Sequence, residues 1–414
     1  GLVLEEGGLI VNSDSNLGDP NGSITFDGGE LRFDSSFNLS SSRAITLGPG
    51  GGTLNLSTNN TTISQVISGS GSLVQQGSTG VLTLSGANTY SGGTTVAEGT
   101  ITLANSSAAG TGPITVQGDG VNYADGVTIA NNLRLETDAT LRVDTGAATH
   151  SGSVNEIGGT FGVTKAGAGD LTLTAANSLS GDVNVNGGSL ILDGGVIVQD
   201  DASTLTVGAA TLSLTNSGQF TTGATQTNVN AGGALQIESG GLFRLKGDLV
   251  VTDADVSIDN ATLNAKPANA SLDQPGVNAP SVTLSSSVAG TFQVDNSATV
   301  NLSGGRGGNG AGGSGFANPN GRRGRNGGSG GDFIADGSAL FDSSARLDLR
   351  GGNGGRGGNG SGVGGIGAGG GDGGHGGTFT VAGGDTTIGS NSTIDLRGGS
   401  GGLGGSGTVD GGPG

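Results

Sequence analysis

The chain of 414 residues contains no cysteine, no methionine and no tryptophan, and only 3% of it is aromatic. Without cysteine there are no disulfides and no thiolate metal sites, a composition that fits export through an oxidising space. A single large core is normally built with Leu, Phe, Met and Trp. The apolar residues here are mainly Leu, Val, Ile and Ala, thinly and regularly spaced, as many small identical core layers require. No run approaches the ~18 apolar residues of a membrane-crossing helix, so no transmembrane segment is expected. The opening GLVLEEGGLIVN carries no signal-peptide pattern, and a start without Met reads as a processed or truncated chain. No apolar pattern at helical spacing extends over a useful length. Basic residues are also scarce: 16 against 34 acidic, for a net charge of −18. The whole acidic excess lies in residues 1–299 (26 acidic, 8 basic), whereas residues 300–414 carry eight of each. Such a surface argues against nucleic acid and anionic membranes as partners.

What the chain has is alternation and glycine. Period-two runs recur: Thr53–Leu56, Val81–Leu84, Thr100–Leu103, Leu133–Leu135, Leu141–Val143, Leu171–Leu173, Leu190–Leu192, Leu212–Leu214, Leu235–Ile237 and Val282–Leu284. Each is bounded by Gly, Asn, Asp or Ser, the signature of short strands with one buried face. They are too many for one barrel and keep a similar length and spacing for 300 residues. The sequence also repeats internally. Residues 69–103 and 158–192 align without gaps at an offset of 89, with 13 identities in 35. The two passes are expected to stack in register.

Residues 69–103 read GSGSLVQQGSTGVLTLSGANTYSGGTTVAEGTITL. This resembles the autotransporter-associated, or passenger-associated, β-strand repeat at nearly every signature position. The departures are Gln76 where Lys is usual and Ser78-Thr79 ahead of Gly80. The copy at 158–192 keeps Lys165 and Asn177 but has Leu179 in place of Tyr. The resemblance implies an all-β protein, a right-handed parallel β-helix or β-solenoid. It implies a secreted bacterial protein, commonly the passenger of a type V secretion system, whose usual β-barrel translocator is not among these residues.

A second beat runs through the C-terminal part. Leu302, Leu349 and Leu396 each close a strand-like run and are followed within two residues by Gly-Gly, at steps of 47 residues. A repeat of this length marks stacked units. The segments 304–331, 351–377 and 398–414 hold 42 of the 92 glycines. In the second, Asn353, Arg356 and Asn359 stand three apart with Gly-Gly between, and Val363/Ile366 and Asp372/His375 keep the same step. Three residues per turn is the period of the extended left-handed helix, in which only glycine allows close lateral packing. The inserts are therefore expected to fold back as polyglycine-II-like pairs and stack beside the solenoid. Residues 1–264 read as an acidic solenoid shaft, 265–280 (three of the eight prolines) as a loop or linker, and 281–414 as solenoid with glycine inserts.

Catalysis on a β-helix needs carboxylates close together on one face. The nearest groupings are Asp200-Asp201 and Asp253/Asp255/Asp259, with Asp253 and Asp255 on one side if both lie in a strand. Neither has a basic partner beside it in sequence, and no enzyme activity is expected. His150 and His375 read as solvent-exposed turn residues, and Tyr90 and Tyr123 are too few for a sugar-stacking platform. No cofactor is expected. The glycine-rich calcium repeat is not met, which leaves only adventitious calcium at the acidic face. Arg322, Arg323 and Arg325, with Asn353, Arg356 and Asn359, are the candidate self-association residues. The expected function is an extracellular structural protein or surface adhesin that assembles head to tail, since neither end shows a polar cap and a contact that does not close gives a fibre. A monomeric passenger adhesin and a polysaccharide-degrading enzyme are the alternatives. The expected partners are other copies of the chain and a cell-surface or matrix polysaccharide.

Overall fold

The computed structural model describes residues 1–200, 203–285, 290–313, 320–342, 344–361, 366–382 and 385–406. It is a parallel β-solenoid; among the described residues the one helical element is the short 3-10 turn Asp14–Leu17. Two compact units divide it, Gly1–Gln219 and Phe220–Gly414.

In the first unit the pairings are parallel and step by about one turn. Val81 lies opposite Thr100 and Thr100 opposite Gly120. Alternate residues point inward, so strand Val81–Leu84 buries Leu82 and Leu84 while Val81 and Thr83 stay partly exposed. Register then stacks the inward residues into columns such as Leu82, Ile101, Val121 and Leu141, none of them accessible to solvent. Each such Leu or Ile contributes roughly 1.5–3 kcal/mol by burial, spread over many thin layers.

The two copies of the repeat do not stack on one another as expected. Residue 82 leads turn by turn to 101, 121, 141 and then Lys165, not to Leu171. The second copy is displaced by one face: Asp170–Leu173 pairs with Ala147–His150 in a different ladder. The physical cause is turn length. The four turns from Leu82 to Lys165 take 19, 20, 20 and 24 residues, 83 in all, so an offset of 89 is not a whole number of turns. The ungapped alignment also misplaces the lysine equivalent. Lys165 is the third residue of Val163–Ala166 and faces inward, as does Gln75 in Leu73–Gln76. Gln75, not Gln76, therefore occupies the lysine position, and the extra residue lies in Ser78-Thr79.

In the second unit the 47-residue beat is one solenoid turn. Thr299 pairs with Arg346 and Arg346 with Thr393. Strand Thr262–Asn264 reaches Thr299–Asn301 after 37 residues. The unit's earlier turns, Gln226 to Asp248 and Leu242 to Thr262, still take 22 and 20 residues; those from Thr262 onward lengthen because each carries an excursion. The core is filled by phenylalanine: Phe333 meets Phe292, Phe341 and Phe379 at ring-centroid distances of 5.0, 5.8 and 5.4 Å.

Candidate functional site

The excursions carry the 42 glycines that form the second beat. In the described residues the first two inserts each have an outgoing and a returning arm, bonded along the backbone at every third residue. The N–H groups of Gly304, Gly307, Gly310 and Gly313 donate to the carbonyls of Arg350, Asn353, Arg356 and Asn359, one turn on. Gly351, Gly354, Gly357 and Gly360 repeat this towards Arg397, Ser400, Leu403 and Ser406. The returning arms do the same, Gly324 to Gly369 and Gly327 to Asp372. A second set of bonds joins outgoing to returning arms with opposite polarity, Arg325 to Gly308 and Gly328 to Gly305. Each arm is thus bonded on several sides.

The spacing of the side chains follows. Along 304–310 and 351–360 two buried glycines alternate with one exposed residue: Arg306, Asn309, Asn353, Arg356, Asn359. A Cβ built at Gly355 or Gly358 would collide with the carbonyl oxygen of Gly308 or Ala311 in the neighbouring arm. The outward residue's own N–H points away from this lattice and is capped by an Asn of the preceding turn. Arg356 N donates to Asn309 Oδ1 (2.9 Å), Ser400 N to Asn353 Oδ1 (2.9 Å) and Ser406 N to Asn359 Oδ1 (3.0 Å). The returning arms use the same device at Asn326, which accepts from Asp372 N (3.0 Å). An asparagine in the triplet therefore finishes the backbone hydrogen bonding of the next layer.

The segment 265–280 has no strand, and it packs against the first insert. Ala270 and Asp273 donate to Arg306 and Asn309 carbonyls, and Gly276 and Ala279 to Asn326 and Ser329. Residues 268–279 thus form a short hairpin on which the glycine layers begin, a role its composition did not signal.

The six candidate self-association residues fall into two sets. Asn353, Arg356 and Asn359 share one outgoing arm, and both asparagine carbonyls are committed within the chain. Arg322 and Arg323 pair with Asp273 (3.3 Å) and Asp372 (3.2 Å), and Arg325 Nε donates to the Asp273 carbonyl (3.0 Å). The structure therefore brings Arg322 and Arg323 to carboxylates of adjacent layers and Arg325 to a backbone carbonyl. Val363 and residues 407–414 of the third insert lie outside the described residues.

A charge ladder runs along the corner where strand becomes arm. Arg346, Asp348, Arg350, Asp395 and Arg397 alternate in sign, with Arg350–Asp348 and Arg397–Asp395 at 2.6 Å. Asp348 and Asp395 are buried. The hydrogen bond from Arg397 holds the Asp395 carboxyl down at about 2, against the opposing effect of burial.

The sequence motifs of the first unit prove to serve its backbone. Lys165 is fully buried, and Nζ donates to the carbonyls of Ala166 (2.9 Å), Gly167 (3.1 Å) and Gly187 (2.8 Å). Burial pushes its pKa down to about 8, partly offset by Asp170. Asn88 Oδ1 accepts from Ile67 N (2.8 Å) and Asn177 Oδ1 from Val154 N (2.8 Å). Tyr90 is buried with its hydroxyl 2.6 Å from Thr94 Oγ1. Lys165→Met keeps the stem but strands three carbonyls, each worth about 1–3 kcal/mol, against the relief of no longer burying a charge. The expected net loss is about 2 kcal/mol by urea unfolding. Lys165→Gln, which reinstates the Gln75 solution, should lose less; equal losses would contradict the role.

His150 corrects an expectation. It lies in strand Ala147–His150, completely buried, with Nδ1 3.1 Å from the Tyr123 hydroxyl. His375 is exposed. Asp253 sits in a turn at φ 47°, outside strand Asp255–Asp259, so the alternation rule does not align it with Asp255. Asp255 accepts from Thr291 N and Oγ1 (3.0 and 2.9 Å), and Asp259 from Asn296 Nδ2 (2.7 Å). Asp201 lies outside the described residues. Among the described residues no three His, Cys, Asp or Glu side chains gather as a metal would require, and no helix is long and apolar enough to cross a membrane.

Comparison with protein families matches the passenger-associated-transport repeat at residues 73–103 and 163–192. No curated protein matches the chain, and no solved structure does. The repeats cover part of the chain and, with the parallel solenoid, support an autotransporter passenger repeat protein.

Proposed function

We propose that this chain is the adhesive, structural part of a secreted or cell-surface bacterial protein, with the stacked glycine arms as its working surface. The observation that carries the reading is the three-residue alternation of the arms. Buried glycines fix the backbone, and every third side chain is displayed on a rigid, hydrogen-bonded layer. Preorganised side chains bind without the ordering cost of a flexible loop. The first unit supports this reading as scaffold, because its unusual buried groups, Lys165, Asn88 and Asn177, bond to backbone rather than face a cleft.

Cells displaying the chain should adhere to a surface or to one another. Replacing 304–331 and 351–377 by short turns should abolish adhesion and leave the β circular dichroism signal. Adhesion that survives the loss of both inserts would overturn the reading. In its fuller form, copies join head to tail, because the ladder pairings of the described residues are parallel and the two ends of a parallel ladder differ. Filaments by negative-stain microscopy are then expected at high protein concentration; single particles throughout would reject assembly.

A further inference from the structure

We propose that the corner where strands turn into glycine arms holds a binding groove for a linear acidic polysaccharide. The groove has a volume of about 400 Å³ and runs across four successive turns. Each turn contributes one cation to its lining: Lys266, Arg306, Arg350 and Arg397. The rest of the lining is Asn, Ser and Gly, including Asn269 and Asn353. It contains no carboxylate and no apolar side chain. In a chain of net charge −18 such a row is a local reversal of sign, and a cleft lined by one sign of charge concentrates the opposite one.

The cations differ in how far they are already used. Arg350 and Arg397 are tied from below by buried Asp348 and Asp395, which fixes their forks at the groove wall. Lys266 and Arg306 meet no carboxylate among the described residues; Arg306 Nη2 donates to Asn309 Oδ1 at 3.5 Å. Stacked strands lie about 4.8 Å apart, so the row repeats along the solenoid axis at that interval. A polymer with an anionic group on each or every other unit, laid along the axis, meets these charges in sequence.

The chemistry of the lining selects among polyanions. Single-stranded nucleic acid needs aromatic faces for its bases; this groove has none, and both tyrosines are buried in the first unit. A protein partner needs apolar or aromatic anchors in a desolvated pocket, and none is present. Amide and hydroxyl groups between fixed cations suit a hydroxylated chain carrying carboxylates or sulfates. The proposal deepens the adhesive reading by naming a ligand class, and rests on it for its biological role.

The test uses the purified full chain and isothermal titration calorimetry with polygalacturonate, a sulfated glycan, neutral dextran and duplex DNA. Saturable binding to an acidic polysaccharide that weakens with salt is expected, with none to dextran. Lys266→Glu combined with Arg306→Glu should weaken binding at least about tenfold, with unchanged circular dichroism. Arg323→Glu combined with Arg356→Glu, the same charge change outside the groove, should weaken it far less. Absence of saturable binding to both acidic polymers, equal loss in the two double variants, or binding of DNA or dextran as tight as that of the acidic glycans would each overturn the proposal. If the groove variant loses glycan binding while displayed cells still adhere, the ligand assignment stands and the adhesive role of the groove fails. If adhesion depends on the inserts but no glycan binds, the reverse holds.

Discussion

Gly355→Val is expected to break the packing of the glycine arms and to destabilise the second unit by about 4 kcal/mol or more, the range reserved for core and backbone catastrophes. Gly355 N donates to the Arg325 carbonyl at 2.7 Å, and its missing side chain is the space that the Gly308 carbonyl fills. A side chain there displaces backbone, which cannot rotate away as a flexible side chain would. The damage also spreads, since each arm is bonded to several others and the three-residue register must hold in all of them. The neighbouring Arg356→Ala removes an exposed side chain from the same arm and should cost within about 0.5 kcal/mol. Hydrogen exchange of the arm amides with urea unfolding checks both. Slow exchange at Gly352 and Gly358 in the Gly355→Val protein would contradict the lattice. A stability loss from Arg356→Ala equal to that from Gly355→Val would also count against it.

The second large effect is acid sensitivity of the first unit through His150. Burial pushes its imidazole pKa from the ordinary 6.5 down to about 4, and its hydrogen-bond neighbour is the neutral Tyr123 hydroxyl. Because the folded pKa is depressed, the unfolded chain takes up a proton near pH 6.5 that the folded chain refuses until about pH 4. Stability is therefore full above pH 6.5 and falls as pH drops through that window, by about 3 kcal/mol in all. Urea midpoints between pH 7 and pH 4 measure this, with His150→Leu as the reference in which carboxylate titrations are common to both proteins. The difference between the two proteins should grow steadily over the window. A difference independent of pH would mean that the imidazole protonates in place.

How much of this was legible in the sequence depends on the range of the interaction. Period-two alternation placed Val81–Leu84, Thr100–Leu103 and Leu133–Leu135 at their observed bounds, because which face of a short strand is buried is a local property. The 47-residue beat gave the turn length of the second unit for the same reason: glycine at a fixed offset from Leu302, Leu349 and Leu396 repeats whenever the turn does. The triplets of the arms were equally visible, since only glycine suits a lattice so close. The bonding within that lattice was not visible, because it joins residues 47 apart and arms of opposite polarity. Nothing local says that Asn309 finishes the backbone of Arg356, or that Arg323 will find Asp372.

The first unit shows the same division. The sequence by itself determined that the chain is a solenoid of short strands with a glycine-rich second part and an acidic first part, which are matters of composition and period; that its strands run parallel was implied by the resemblance of 69–103 and 158–192 to the passenger repeat. Only the tertiary structure decided that the two repeats occupy different faces, that Gln75 rather than Gln76 replaces the buried lysine, and that His150 lies inside. Each depends on how many residues a turn consumes, and small differences in turn length accumulate along a coil. The cationic groove has the same origin: Lys266, Arg306, Arg350 and Arg397 are scattered over 132 positions of the chain, and winding alone puts one on each successive turn.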